Sequence, residues 1–275
     1  MSEINRVDNQ NKDIMADLES PGVHFDRWWL LIVADILLIV LLVTLVPDPF
    51  MRILRFVSDG IGVTLLVTVV SFVLIVFIGL IGGLGRLSKN MVLNTIATLY
   101  VEIIRGIPLL VQLLFWYFAF TALVKNFGSA IGSATLSRFS PDPIAMAIAG
   151  LTICYGAYMS EIYRAGIQSI SKGQMEAARS LGMSSFQAMR FVILPQAIRV
   201  VLPPMGNEFI SLLKDSSLVS VVAVADLTRR GREFMSQTGA SFETWAIVAL
   251  IYLVMTIFSA RVVNIIEKRT RTAER

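Results

Sequence analysis

Charged residues, histidine and cysteine are all scarce in this chain. Of its 275 residues only 16% are charged and 55% are hydrophobic, whereas about 25% are charged in an average soluble domain. The single cysteine, Cys154, lies in an apolar run and can form neither an internal disulfide nor a metal cluster. The single histidine, His24, lies in a polar leader before the first apolar stretch, so no catalytic or metal site is predicted around it. These scarcities are typical of a membrane protein.

Several function classes lose support for lack of their signatures. The net charge of +4 is small and its basic residues are spread among loops and ends, so a nucleic-acid partner is not expected. The sequence contains no Gly-x-x-x-x-Gly-Lys-Ser/Thr loop, so ATP is not expected to bind this chain. An intramembrane enzyme and an ion-coupled secondary transporter stay open as alternatives. However, the predicted spans contain no histidine, and no repeated halves are visible.

Long hydrophobic runs predict an all-α transmembrane bundle with about six spans. We place the spans at residues 28–46, 61–85, 92–124, 143–164, 197–213 and 244–266. Most basic loops then fall on one side, which places both termini in the cytoplasm. The chain divides into a polar leader (1–27), an extra span with a short external segment (28–59), a core (60–267) and a basic tail (268–275).

Two spans contain residues that interrupt helices. The third should break near Pro108, and the fifth should be bent or partly unwound at Pro203, Pro204 and Gly206. Three polar segments are predicted outside the spans. They are an interfacial segment at 50–59, an external loop at 125–142, and a loop at 216–242 whose Arg229, Arg230 and Arg232 oppose the positive-inside tendency.

The segment 173–195 carries the most specific pattern in the chain, and it reads GQMEAARSLGMSSFQAMRFVILP. A short helix should end at Gly182, which is a natural left-handed terminator. Ser184 and Gln187 form a capping box for a second short helix, which ends before Pro195. The segment is therefore predicted to be a helix, a tight turn and a second helix that project from the bilayer, where a partner protein can dock.

The spacing in this segment resembles the coupling signature of permeases from binding-protein-dependent, ATP-driven importers. That signature has Glu-Ala-Ala, three residues, Gly, nine residues and then Ile-x-Leu-Pro, and here Val192 replaces the Ile. The resemblance implies that the coupling residues dock on an ATP-binding cassette subunit that holds ATP and Mg²⁺, while this chain binds no cofactor. The residues concerned are Glu176, Ala177, Ala178, Arg179 and Gly182.

A narrower resemblance covers residues 60–267 and is to permeases for polar amino acids such as histidine, glutamine and arginine. It is carried by the runs 101–118, 155–182 and 194–221. It implies the type I ABC importer permease fold in the bacterial cytoplasmic (inner) membrane. It also implies a second permease subunit, identical or homologous, because one coupling segment makes half of a two-fold assembly. The remaining partner is an extracytoplasmic substrate-binding protein.

Ionisable and polar residues inside the spans suggest a substrate pathway, because such groups are expensive in lipid. The candidates are Arg105, Glu161, Asn207 and Glu208. We hypothesise that Glu161 binds the substrate's ammonium, and that Arg105 or unwound backbone near Gly206 binds its carboxylate. Two alternatives stay open: Arg105 could pair with Glu102, and Glu161 with Arg164. Lys214 and Asp215 are expected to bracket the outer interface.

Overall fold

The computed structural model describes residues 27–271. Predictions for the leader before residue 27, including His24, and for residues 272–275 of the tail lie outside this range. Within it the chain is helical and contains no strand. Its helices are α1 (Arg27–Leu45), α2 (Pro47–Leu87), α3 (Met91–Arg105), α4 (Leu109–Ala130), α5 (Ala134–Ser137), α6 (Pro143–Gln168), α7 (Lys172–Ser180), α8 (Ser185–Ala188), α9 (Leu194–Asp215), α10 (Leu227–Thr238) and α11 (Ser241–Arg271).

The hydropathy of these helices confirms the predicted bundle of membrane spans. Five helical stretches are long and apolar enough to cross a bilayer, and a shorter apolar helix is found over Trp29–Leu45. π-helical turns interrupt α4 at Phe115–Ala119 and join α8 to α9 at Met189–Ile193. The chain leaves α9 through a 3₁₀ turn, Ser216–Val222. The predicted third-span break is confirmed, because α3 ends at Arg105 and α4 begins after Pro108.

The segment at residues 50–59, which is predicted to be interfacial, is continuous with the next span. These residues are the first turns of α2, a helix of 41 residues whose only non-helical residue is Asp48. Phe50, Ile53 and Val57 are buried in a cluster with residues of α1, α10 and α11. The polar residues that suggested an interface lie between these apolar positions, so the segment is an amphipathic helix. The external loop predicted at 125–142 likewise begins later, because α4 continues to Ala130.

For the fifth span, predicted to be bent or partly unwound, the unwinding is wrong. The helix α9 continues through Pro203 and Pro204, which remove two donors from its hydrogen-bond ladder without ending it. Gly206 has a packing role. A Cβ atom there would lie 2.2 Å from Cγ1 of Val263, so glycine allows α11 to approach α9 closely.

Close packing of α2 against α6 forms the centre of the bundle. A Cβ on Gly79 would lie 2.4 Å from Cγ of Met159, and one on Gly82 would lie 2.1 Å from Oγ of Ser160. Small residues at such contacts let two backbones approach in lipid, where van der Waals packing and not hydrophobicity holds helices together. From the first of these contacts to the second, the residue number increases on both helices, so the two helices run in the same direction.

Two of the three arginines of α10 are paired with acidic residues, whereas Arg232 donates to Oγ of Ser220 at 3.4 Å. Arg230 contacts Asp59 of α2 at 2.5 Å and Glu233 at 2.9 Å, and Arg229 donates to Glu233 at 2.9 Å. The hydrogen bond from Arg229, with help from Arg230, holds the pKa of Glu233 below its usual range. Asp226 caps α10 through the backbone N–H groups of residues 228 and 229, and burial raises its pKa.

The glycines of α2 allow a matched test of backbone packing. A Cβ on Gly60 would lie 2.8 Å from the Cα and N of Leu227, which are backbone atoms that cannot move aside, whereas Gly62 has nothing within 4 Å. We expect Gly60→Ala to destabilise the protein by about 2 kcal/mol. Gly62→Ala should stabilise the helix by up to about 1 kcal/mol.

Thermal unfolding of the two purified variants in detergent measures this difference. Equal midpoints for Gly60→Ala and Gly62→Ala would contradict the close approach of α2 to the start of α10.

Candidate functional site

The segment 173–195 forms the predicted helix–turn–helix. The first helix, α7, is followed by Gly182 in the left-handed conformation, with φ of 84°. The N–H of Met183 donates to the carbonyl of Ala178 at 3.2 Å across this turn. The capping box is present: Ser184 N donates to Oε1 of Gln187 at 2.9 Å, and Gln187 N donates to Oγ of Ser184 at 3.2 Å. We call α7, the turn and α8 the coupling hairpin, and the end of the bundle that carries it the hairpin end.

The coupling hairpin presents an exposed surface. Of the five predicted coupling residues, Glu176, Ala177, Arg179 and Gly182 are exposed, whereas Ala178 is buried inside the hairpin. Large apolar side chains are also exposed there: Leu181 is 81% and Phe186 71% accessible, and Phe191, in the π-helical turn that follows the hairpin, is 62% accessible. A polar helix pair with exposed apolar residues is typical of a surface that a partner covers.

A small polar cavity of about 260 Å³ lies between α4, α6 and α9. Its lining residues are Leu109, Cys154, Tyr155, Tyr158, Glu208, Ser211 and Asp215. The hydroxyl of Tyr155 donates to Oδ2 of Asp215 at 2.6 Å. The guanidinium of Arg105, the last residue of α3, stacks over the ring of Tyr158 at 5.1 Å. We call this group, with Arg105, the polar cavity.

The structure separates the four predicted pathway residues. Glu208 lines the polar cavity, and Arg105 stacks on Tyr158, another of its lining residues. Asn207 lies beside a different cavity of about 400 Å³ between α9 and α11. Glu161 lies one turn beyond Tyr158 on α6, where arginines surround it. The larger cavities, of about 600 and 690 Å³, are lined almost entirely by apolar residues and offer few groups to a polar ligand.

Glu161 belongs to an ionic cluster towards the hairpin end. Its Oε2 lies 2.6 Å from Nη1 of Arg86, and its Oε1 pairs with Arg164. Arg86 also contacts Glu102 at 3.2 Å. The possible pairing of Arg105 with Glu102 is therefore not found, because Glu102 turns towards α2 and Arg105 towards α6. The possible pairing of Glu161 with Arg164 is found. The cluster links α2, α3 and α6.

Sequence reasoning missed Asp215 as a cavity residue. It was expected at the outer interface because Lys214 and Asp215 end the fifth span. Its partner Tyr155 is 60 residues away, and no local pattern signals such a contact.

Comparison with known proteins identifies proteins that are similar to this chain in sequence and in fold. Residues 75–272 match the family described as "Binding-protein-dependent transport system inner membrane component". The chain is 35% identical over 213 residues to the glutamine transport system permease protein GlnP of Escherichia coli (strain K12), covering 78% of this chain and 92% of that one. It is 42% identical over 211 residues to the probable glutamine ABC transporter permease protein GlnM of Bacillus subtilis, covering 77% and 91%.

Two solved structures share the fold. One, described as an amino acid ABC transporter with histidines, superposes with a TM-score of 0.70 at 39% identity and covers 80% of this chain and 96% of that one. The MetNI methionine ABC transporter in an inward-facing conformation superposes with a TM-score of 0.64 at 21% identity, covering 80% and 98%, and supports the fold alone. The chain therefore belongs to the family of inner membrane components of binding-protein-dependent transport systems, as the multi-pass permease subunit of an ABC importer.

Proposed function

We propose that this permease carries a polar amino acid inward and binds it in transit at the polar cavity. The observation that carries the proposal is a cavity lined by two carboxylates, Glu208 and Asp215, with the guanidinium of Arg105 stacked on a third lining residue, Tyr158. Relatives named for glutamine and for amino acids support the same substrate class.

The cavity has the groups that a zwitterion needs. Arg105 makes no ion pair within 4 Å in the described part of the chain, so the edge of its guanidinium can offer two parallel hydrogen bonds to a carboxylate. Glu208 and Asp215 can accept from the substrate's ammonium, and the Tyr155 hydroxyl fixes one of these acceptors. Glu161 and Asn207 stay predicted members of the pathway, outside the cavity itself.

ATP hydrolysis is assigned to a separate ATP-binding cassette subunit that holds ATP and Mg²⁺ and docks on the coupling hairpin. A second permease subunit completes the pathway, and an extracytoplasmic substrate-binding protein delivers the amino acid. Both termini are placed on the cytoplasmic side. Closure of the two ATP-binding subunits then draws the coupling hairpins together, and access to the polar cavity alternates between the two sides of the membrane.

Reconstitution tests this function directly. The permease, with a candidate ATP-binding subunit and receptor in proteoliposomes, should hydrolyse ATP faster in the presence of one of arginine, histidine, glutamine or glutamate. Uptake of the radiolabelled amino acid should require ATP and the ATP-binding subunit. Uptake by the permease alone, driven by an ion gradient, would contradict the proposal.

Substitution of Glu208 tests the cavity. We expect Glu208→Gln to raise the amino-acid concentration for half-maximal ATPase stimulation about tenfold, because it removes a charge-assisted hydrogen bond. Glu243→Gln, in the first turn of α11 and outside the cavity, is the control. A shift in Glu161→Gln without one in Glu208→Gln would assign the ammonium to Glu161, as the sequence predicts.

Substitution of Gly182 tests the coupling hairpin. Gly182→Val should strongly reduce capture of the ATP-binding subunit, because a β-branched residue is strained at φ of 84°. Gly182→Asn should retain more capture, since asparagine tolerates this conformation. Gly173→Ala, which lies in α7 without close contacts, is the control. Equal capture by Gly182→Val and Gly173→Ala would argue against docking on this turn.

A further inference from the structure

The helix break at residues 106–108 leaves backbone carbonyls without their usual donors. In a continuous helix the carbonyl of Ile104 would accept from residue 108, but that residue is a proline without an N–H. Pro108 is also extended, with φ of −57° and ψ of 138°, so the carbonyl of Ile107 lies outside both helical ladders. An unsatisfied carbonyl at membrane depth costs several kcal/mol, so such a break needs another donor.

One side chain donates to both carbonyls, of which that of Ile104 otherwise accepts only a long bond of 3.4 Å from the N–H of Ile107. The amide nitrogen of Gln112, one turn into α4, donates to the carbonyl of Ile104 at 2.8 Å and to that of Ile107 at 2.9 Å. Gln112 is 4% exposed. Its Oε1 is buried and accepts no hydrogen bond from residues 27–271. The amide is therefore held by its two N–H groups alone, and a flipped amide would set its oxygen against two carbonyl oxygens.

Gln112 also joins the break to the polar cavity. Its amide nitrogen lies 3.4 Å from Sγ of Cys154, a cavity-lining residue of α6. Arg105 ends α3 immediately before the break, and its guanidinium stacks on Tyr158, one turn further along α6. The same short stretch of α6 is therefore in contact with both Arg105 and Gln112, and Gln112 also holds the backbone that follows Arg105.

We propose that Gln112 is a positioning residue for substrate recognition. Its amide fixes the break at residues 106–108 and thereby directs Arg105 towards the polar cavity. The inference rests on the proposed function for the role of Arg105, whereas the bracing of the break stands on the hydrogen bonds themselves. Gln112 does not contact the substrate.

The test compares two glutamines that both donate to helix carbonyls. Gln112→Met keeps the length and apolar volume of the side chain and removes both donors. Gln196→Met is the matched control, because Gln196 donates to the carbonyl of Val192 at 2.9 Å where the π-helical turn continues into α9 without an extended break. The reconstituted transporter is assayed with L-glutamine as the probe. Gln112→Met should raise the glutamine concentration for half-maximal ATPase stimulation about tenfold and leave the maximal rate near that of the unsubstituted protein.

A second readout does not depend on the substrate. Cys154 is the only cysteine of the chain and is buried, so N-ethylmaleimide reports on it without further engineering. Loosening of the break in Gln112→Met should let the reagent reach Cys154 faster in native membranes, whereas Gln196→Met should leave the labelling rate unchanged. Gln112→Asn, which keeps the amide on a shorter side chain, should fall between the unsubstituted protein and Gln112→Met in both assays.

The outcomes separate this inference from the proposed function. If glutamine and the other three amino acids fail to stimulate the unsubstituted transporter, the proposed function fails, and Cys154 labelling still decides whether Gln112 braces the break. An unchanged labelling rate in Gln112→Met overturns the bracing. The positioning role is overturned if Cys154 is labelled faster but the glutamine concentration for half-maximal ATPase stimulation is unchanged. It is also overturned if faster labelling is accompanied only by a loss of the maximal ATPase rate.

Discussion

The bundle depends on one constraint, which is that backbone N–H and C=O groups inside a bilayer must find partners within the protein. The chain meets it in two ways at its prolines. At Pro203 and Pro204 the neighbouring ladder bonds persist and α9 remains a helix. At Pro108 the backbone is extended and the helical hydrogen-bond ladder stops. There the side-chain amide of Gln112 donates to two backbone carbonyls. The same residue type therefore produces a continuous helix at one site and a break at another.

The charges inside the bundle follow the same rule. Arg86 is the least exposed member of the ionic cluster, and it contacts carboxylates from two other helices. Glu161 in turn contacts two arginines. Arg105 differs, because its partner is an aromatic face, which leaves the edge of the guanidinium able to form hydrogen bonds. An arginine whose charge is stabilised without a carboxylate of the protein is suited to binding the carboxylate of a ligand.

The sequence was sufficient to predict what local patterns determine. Hydropathy located the spans, and Gly182 with Ser184 and Gln187 located the coupling hairpin, because caps and turns are encoded within a few residues. The continuity of residues 50–59 with the next span could not be predicted, because the charges between their apolar positions suggest a separate segment. The unwinding at Gly206 was wrong because the contact with Val263, on another helix, cannot be seen from the residues around the glycine.

Long-range polar contacts could not be predicted. Glu161 and Arg86 are 75 residues apart, and Tyr155 and Asp215 are 60 apart. Neither pair has a spacing that distinguishes it from the other charged and aromatic residues in the spans. The structure therefore separates residues that the sequence groups together, because Glu161 lies in the ionic cluster and Asp215 lines the polar cavity. The roles of these residues in transport stay predictions.

The helix α6 connects the polar cavity to the coupling hairpin. It carries Tyr155 and Tyr158 at the cavity, then Glu161 and Arg164 in the ionic cluster, and it ends shortly before α7 begins. At 1.5 Å per residue, the step from Tyr155 to Arg164 is only about 14 Å of rigid helix.

The glycine contacts hold α6 so closely against α2 that the two helices cannot slide past each other without a clash. By contrast, α6 meets the end of α9 at the polar cavity through the hydrogen bond of Tyr155 to Asp215, whereas nearer the hairpin Gly166 of α6 packs closely against Val201 of α9. A movement of the coupling hairpin is therefore expected to shift α2 and α6 as one body and to loosen α6 from α9 only at the end that carries Asp215.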